Sequence, residues 1–158
     1  MKPAPTLTAP AHAMLDRARR YCALAEQCES GVRQKLIAWG ADVADVDAIV
    51  QRLRADDYLN DVRYARAYCE SKIVGQHWGR QKVVYQLRAK RLPKEAIEAG
   101  MQAVDDEVYR NVLAEEADKK LRQLGGEATP EVNRKLAAFL VSRGFTSSEV
   151  GAVVDIWN

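Results

Sequence analysis

Three leucines, Leu36, Leu87 and Leu140, stand 51 and 53 residues apart, and the apolar positions around them coincide. Four residues before each lie Val32, Val83 and Leu136; ten after lie Val46, Ile97 and Val150. Fourteen after come Val50, Met101 and Val154, and seventeen after come Leu53, Val104 and Trp157. A period of this size marks repeated supersecondary units that bury their apolar faces against neighbours. Within a copy the apolar steps of three and four are helical and do not fit an alternating strand. Stacks of this kind present binding surfaces, so recognition rather than chemistry is the first functional inference.

The apolar and charged content, 47% and 29%, belongs to a soluble globular chain. No apolar run approaches the roughly 18 residues needed to cross a bilayer. The opening MKPAPTLTAPAHAML carries prolines at 3, 5 and 10 and reads as a flexible tail over 1–13 rather than a signal peptide. Cys22, Cys28 and Cys69 form no CxxC pair and read as small core residues of a reduced, cytoplasmic protein. The net charge of +2 hides an asymmetry. Residues 60–94 hold nine Lys or Arg against Asp61 and Glu70, whereas residues 95–131 hold ten acidic groups against four basic ones. A basic middle of this kind suits a polyanion or an acidic protein surface.

Helix signals fall into three groups of three. The first helix is expected near residues 14–28, with Asp16 and Arg20 as an i, i+4 pair. Ser30 is expected to cap the second helix, Gly40 to end it, and Asp42 to cap the third. Asn60 opens a helix reaching about Val74, a loop through Gly75 and Gly79 follows, and a helix runs from Arg80 to Lys90 with Pro93 at the next first turn. A long helix near 106–124 ends at Gly125-Gly126. Thr129-Pro130 opens its successor, Gly144 stops it, and Thr146-Ser-Ser-Glu149 forms a capping box. No strand is expected. The predicted architecture is all-α: three tandem three-helix repeats over 14–56, 57–104 and 105–158, forming an elongated, curved array.

Phosphate-loop, dinucleotide, zinc-protease and nucleophile-elbow motifs are all absent. His12 and His77 lack ligands at metal spacing and read as neutral surface histidines, and the Asp56-Asp57 and Asp105-Asp106 pairs sit at helix junctions where capping explains them. No enzyme, metal or cofactor is expected. The functional signal concentrates in the second unit. Arg63, Arg66 and Glu70 share a helix face opposite Tyr64, Ala65, Tyr68 and Cys69. Lys82 and Arg88 leave the Val83–Leu87 stripe, while Lys90 and Arg91 crowd the helix end. With Lys72 and Arg80, these eight cations form the candidate binding surface, since Arg and Lys suit phosphate or carboxylate recognition. Tyr64 and Tyr68 fit the core; Trp78 fits either core or surface.

Asp56-Asp-Tyr-Leu-Asn-Asp-Val-Arg-Tyr-Ala65, then Trp78-Gly-Arg-Gln-Lys-Val83 and Gln86-Leu87, resemble the second repeat of the RecX family. The resemblance extends loosely over about 14–158. Asn60 replaces an Asp of the family pattern, and Arg91 stands where a Gly commonly ends the helix. The resemblance implies a cytoplasmic bacterial modulator, chiefly an inhibitor, of the RecA recombinase, lodged in the groove of the RecA–DNA filament and carrying no catalytic residues. The expected partners are the RecA filament and single- or double-stranded DNA, with no membrane, and the chain is expected to be a monomer. Two other readings remain beside it: a direct DNA-binding protein and a helical adaptor for another protein.

Overall fold

The computed structural model describes residues 6–155 and contains, among them, nine α-helices and no strand. In chain order they are α1 (Ala9–Leu24), α2 (Glu29–Ala38), α3 (Val43–Ala55), α4 (Asp61–Cys69), α5 (Arg80–Ala89), α6 (Lys94–Met101), α7 (Asp106–Gln123), α8 (Pro130–Ser142) and α9 (Ser147–Gly151). The α4 rod continues as a π-helical stretch, Glu70–Gly75. The helices form three tandem three-helix units.

The repeat columns are the core. Val32, Val83, Leu36, Leu87 and Leu140 are fully buried, and Leu136, Val46, Ile97, Val150, Val50, Val154, Leu53 and Val104 are buried with them. Met101 is half-buried at the edge of the same cluster, and Trp157 lies outside the described residues. The stop signals repeat too. The residue four after each leucine has a left-handed backbone: Gly40 at φ +91°, Arg91 at +62° and Gly144 at +103°. The next amide donates back to the leucine carbonyl in every copy: Ala41 to Leu36 at 2.9 Å, Leu92 to Leu87 at 3.2 Å and Phe145 to Leu140 at 3.2 Å. This is a Schellman-type stop, in which only Gly avoids a Cβ penalty. Arg91 therefore accepts a backbone strain of about 1 kcal/mol or slightly more.

Asp42, Asn60 and Thr146 cap their helices as expected, the last in a reciprocal capping box with Glu149. Other positions differ. Residues 9–13, expected in a flexible tail, begin α1: Thr8 caps it and Pro10 occupies the first turn, where its missing N–H is not needed. Ala11 is buried there. The expected tail residues 1–5 lie outside the described residues. Ser30 does not cap α2; Cys28 occupies that position, and the Ser30 hydroxyl instead donates to the Lys90 carbonyl at 2.9 Å. Pro93 is the N-cap residue of α6 rather than inside its first turn. Asp16 pairs with Arg19, not Arg20.

Two hydrophobic clusters divide the chain. One gathers buried residues between Ala11 and Leu59; the other runs from Ala65 to Val154 and takes in Cys28. The second and third units share one core, and the first has its own. Burial keeps Cys69 protonated, with its thiol pushed up to about 11, and Cys22 likewise.

Candidate functional site

The eight candidate cations do not form one patch. Arg63, expected to face outward, folds back onto the first unit. Its Nε lies 2.5 Å from Glu26, and its terminal nitrogens donate to the Asp57 carboxylate at 3.0 Å and carbonyl at 2.9 Å. Arg80 turns towards the third unit, with Nη2 2.8 Å from Asp106 and the guanidinium 3.9 Å from the centre of the Tyr109 ring. Its charge holds the Asp106 carboxyl below the usual carboxylate range, by hydrogen bond first and charge second. Both arginines are occupied in joining units.

Lys72, Lys82 and Lys90 behave differently. The Lys72 ammonium sits 4.9 Å from the centre of the Trp78 ring and 5.6 Å from that of Tyr68. Lys82 lies 4.3 Å from the Trp78 ring and Lys90 5.9 Å from Tyr68. The rings form a ladder: Tyr64 stacks on Tyr68 at 5.9 Å, and Tyr68 meets Trp78 edge-on at 6.5 Å. All three rings are half-buried against the shared core, so each is part of the packing and part of the surface. Burial raises the Tyr64 phenol, which stays protonated.

Three elements build this cluster. The π stretch carries Lys72 and brings its carbonyl to the Trp78 amide at 2.9 Å. One flank of α5 carries Lys82, and Lys90 at its C-cap follows on the same side, a 100° step placing Gln86 between them. Tyr64 and Tyr68 stand one turn apart on α4. Among the described residues no carboxylate reaches ion-pair distance of these three lysines. Cation–π attraction holds the ammonium groups without neutralising them. The three ammonium groups therefore keep their positive charge uncompensated by any carboxylate at ion-pair distance among the described residues.

Arg66, Arg88 and Arg91 are exposed and scattered. Arg88 lies on the opposite flank of α5, sharing a groove with Val84, Tyr85, Thr146 and Glu149. Arg91 lines a cleft of about 420 Å³ between the first and second units, beside Arg33 and Arg54. Of the eight, the structure gathers Lys72, Lys82 and Lys90.

The acidic flank is largely consumed within the molecule. Asp106 pairs with Arg80, Glu98 with Lys94, Asp118 with Arg122 and Glu131 with Lys135. Glu116 is buried, 2.9 Å from His77 Nδ1 and 3.7 Å from Arg143. His77, expected at the surface, is half-buried with a left-handed backbone at φ +58°. Its partner Glu116 stands 39 residues away in sequence, so spacing gave no sign of the contact.

Family models for the second and third three-helix domains of RecX match residues 60–101 and 107–154. Regulatory protein RecX of Clostridium tetani is 26% identical over 129 residues, covering 80% of this chain and 59% of that protein. Regulatory protein RecX of Clostridium acetobutylicum is 28% identical over 130 residues, covering 80% and 60%. The chain thus spans about three-fifths of the length of these relatives. Regulatory protein RecX of Prosthecochloris aestuarii, 28% identical over 141 residues, is covered to 91% by 89% of this chain. The crystal structure of RecX from Lactobacillus salivarius superposes with a TM-score of 0.81 at 17% identity, covering 93% of this chain and 96% of that one. A second crystal structure of regulatory protein RecX gives 0.82 at 20% identity, covering 97% and 82%. These two likenesses bear on the fold alone. With its second and third units both matched by RecX domains, and the repeated three-helix plan throughout, the chain belongs to the RecX family.

Proposed function

We propose that this chain regulates RecA recombinase by binding RecA–DNA filaments and limiting their ATP hydrolysis, strand exchange and growth. The observation that carries this reading is the pair of RecX domain matches over 60–154, together with relatives named regulatory proteins. Three tandem helical units can contact neighbouring protomers along a filament, and a chain seated in that groove excludes competing duplex DNA. In this reading the ring-seated lysines of the second unit meet an acidic filament surface or the bound strand. The unit boundaries at 14–56, 57–104 and 105–158, the absence of catalysis, the monomeric state and the cytoplasmic location are part of the same proposal.

Titrating the chain into a RecA ATPase assay on single-stranded DNA tests it. The expected result is a saturable fall in ATP hydrolysis; unchanged hydrolysis at excess protein would overturn the reading. The uncompensated lysine cluster also favours a second reading, direct binding to DNA. Salt-dependent binding to free DNA with no effect on RecA would support that alternative instead.

A further inference from the structure

The aromatic–cation arrangement of the second unit has a counterpart in the first. Ala18-Arg-Arg-Tyr21-Cys22 on α1 and Ala65-Arg-Ala-Tyr68-Cys69 on α4 are the same Ala-Arg-x-Tyr-Cys run, 47 residues apart. Ala18 and Ala65 are both fully buried. The shared packing places Tyr21 and Tyr68 at equivalent positions on the first helices of their units. Each tyrosine meets a tryptophan edge-on: Tyr21 meets Trp39 at 5.7 Å, and Tyr68 meets Trp78 at 6.5 Å. Each pair is flanked by cations. The Arg17 guanidinium lies 4.1 Å from the centre of the Trp39 ring, and the Lys35 ammonium 5.6 Å from that of Tyr21.

The first unit sorts its cations as the second does. Arg19, Arg33, Arg52 and Arg54 are all paired with carboxylates. Arg17 and Lys35, exposed, have no carboxylate at ion-pair distance among the described residues. The third unit has no such copy: α7 contains no Ala-Arg-x-Tyr-Cys run, its Tyr109 packs on Phe145 rather than on a tryptophan, and the cation over Tyr109 is the carboxylate-paired Arg80.

We propose that Arg17, Tyr21, Lys35 and Trp39 form a second site for single-stranded nucleic acid, a repeat-related partner of the Tyr68–Trp78 cluster. The proposal rests on the reading that the second unit's lysines take a polyanion. The unneutralised cations would hold phosphates. The aromatic rings, and the guanidinium held over Trp39, offer platforms to bases. Bases are available for stacking in a single strand and occluded in a duplex. An acidic protein segment would use the cations and leave the rings idle.

Trp39 reports on the site directly. In a chain carrying Trp78→Phe and Trp157→Phe it is the sole tryptophan. Adding oligo(dT) without RecA should quench its emission saturably. Arg17→Ala with Lys35→Ala should weaken that response about 5-fold or more and flatten the log–log salt slope by roughly 1.4. Both side chains are exposed and make no ion pair among the described residues, so the melting curve of this variant should match its parent. No quenching, or quenching unaffected by the double substitution, would overturn the proposal. Equal quenching by a duplex of the same length would overturn the single-strand assignment, and equal quenching by polyglutamate would overturn the nucleic-acid assignment. The RecA ATPase assay with the unaltered chain separates this site from the family function: inhibition with a silent Trp39 leaves the proposed function standing and removes only the site.

Discussion

The two joints between successive units are built from opposite materials. Between the second and third units the chain is sealed by apolar packing and backbone contact. Their cores are continuous, Tyr109 lies against Phe145 at 5.8 Å, and α7 packs on the π stretch. The Gly79 amide donates to the Arg143 carbonyl at 2.8 Å and the Gln81 amide to Gly144 at 3.1 Å. The backbones approach so closely that a Cβ on Gly79 would stand 2.1 Å from the Gly144 carbonyl carbon. Between the first and second units the contacts are mainly polar. Arg54, held at 2.8 Å by Glu29 of its own unit, reaches Asp61 at 3.2 Å, Arg63 reaches Glu26, and the Ser30 hydroxyl donates to the Lys90 carbonyl. Apolar sealing makes one cooperative body of two units; a polar joint leaves the first unit attached through charges that salt and pH can weaken.

The largest effect should follow from opening the apolar joint. Phe145 is fully buried, so Phe145→Ala should cost about 3–5 kcal/mol. Denaturant titration followed by signals in both units should show them falling together; separate transitions for the second and third units would break the comparison. Next comes Arg54→Ala, expected to cost about 1–2 kcal/mol because it takes the arginine from half-exposed Asp61 and leaves Glu29 with Arg33 alone. Its effect should be confined to the first unit and should shrink in high salt. A loss shared equally by all three units would contradict a separable joint.

Acid should act on the same joint indirectly, through Glu29, which holds the Arg54 side chain that reaches Asp61. Burial pushes the Glu29 carboxyl up, but hydrogen bonds and charge from Arg54 and then Arg33 outweigh it, so its net shift is downward. A depressed carboxyl contributes stability above its unfolded value of about 4.5 that is lost as pH falls through the folded value. Proteolysis at falling pH should therefore open the first joint, and Glu29→Gln should remove that pH dependence. The smallest effect belongs to Arg91→Gly, which relieves a left-handed arginine. The gain should be about 1 kcal/mol or less, since glycine also loosens the unfolded chain; a destabilised variant would mean that the Arg91 side chain contributes more than its backbone costs.

The apolar joint was largely legible in the sequence and the polar one was not. The recurring columns around Leu36, Leu87 and Leu140 announce both the helices and the residues they bury, because helical burial has a local period. The caps at Asp42, Asn60 and Thr146 are local signals as well. Arg63 was misplaced because its partner Glu26 is 37 residues away, and nothing in the spacing of an amphipathic helix says that an outward cation will bend towards another unit. The same reasoning grouped eight cations by proximity in sequence. The fold divides them: carboxylates receive Arg63 and Arg80, aromatic rings receive Lys72, Lys82 and Lys90, and Arg66, Arg88 and Arg91 stand exposed. Glu116 belongs by sequence to the acidic flank, yet it is buried against His77 and Arg143. Pro10, in a proline-rich opening, suggested a tail, although Thr8 two residues earlier supplies the cap that lets it begin a helix. The Ala-Arg-x-Tyr-Cys repeat was visible in the letters, but it is carried mostly by polar and small residues and escapes a search for apolar columns.

Amide hydrogen exchange at low and high salt tests the contrast between the joints most directly. At low salt all three units should exchange slowly. Raising the salt should speed exchange in α1–α3 and at the Asp57–Asp61 turn while α4–α9 keep their protection. Uniform loss of protection across the chain, or faster exchange first at Gly79 and Phe145, would contradict an ionic first joint and an apolar second one.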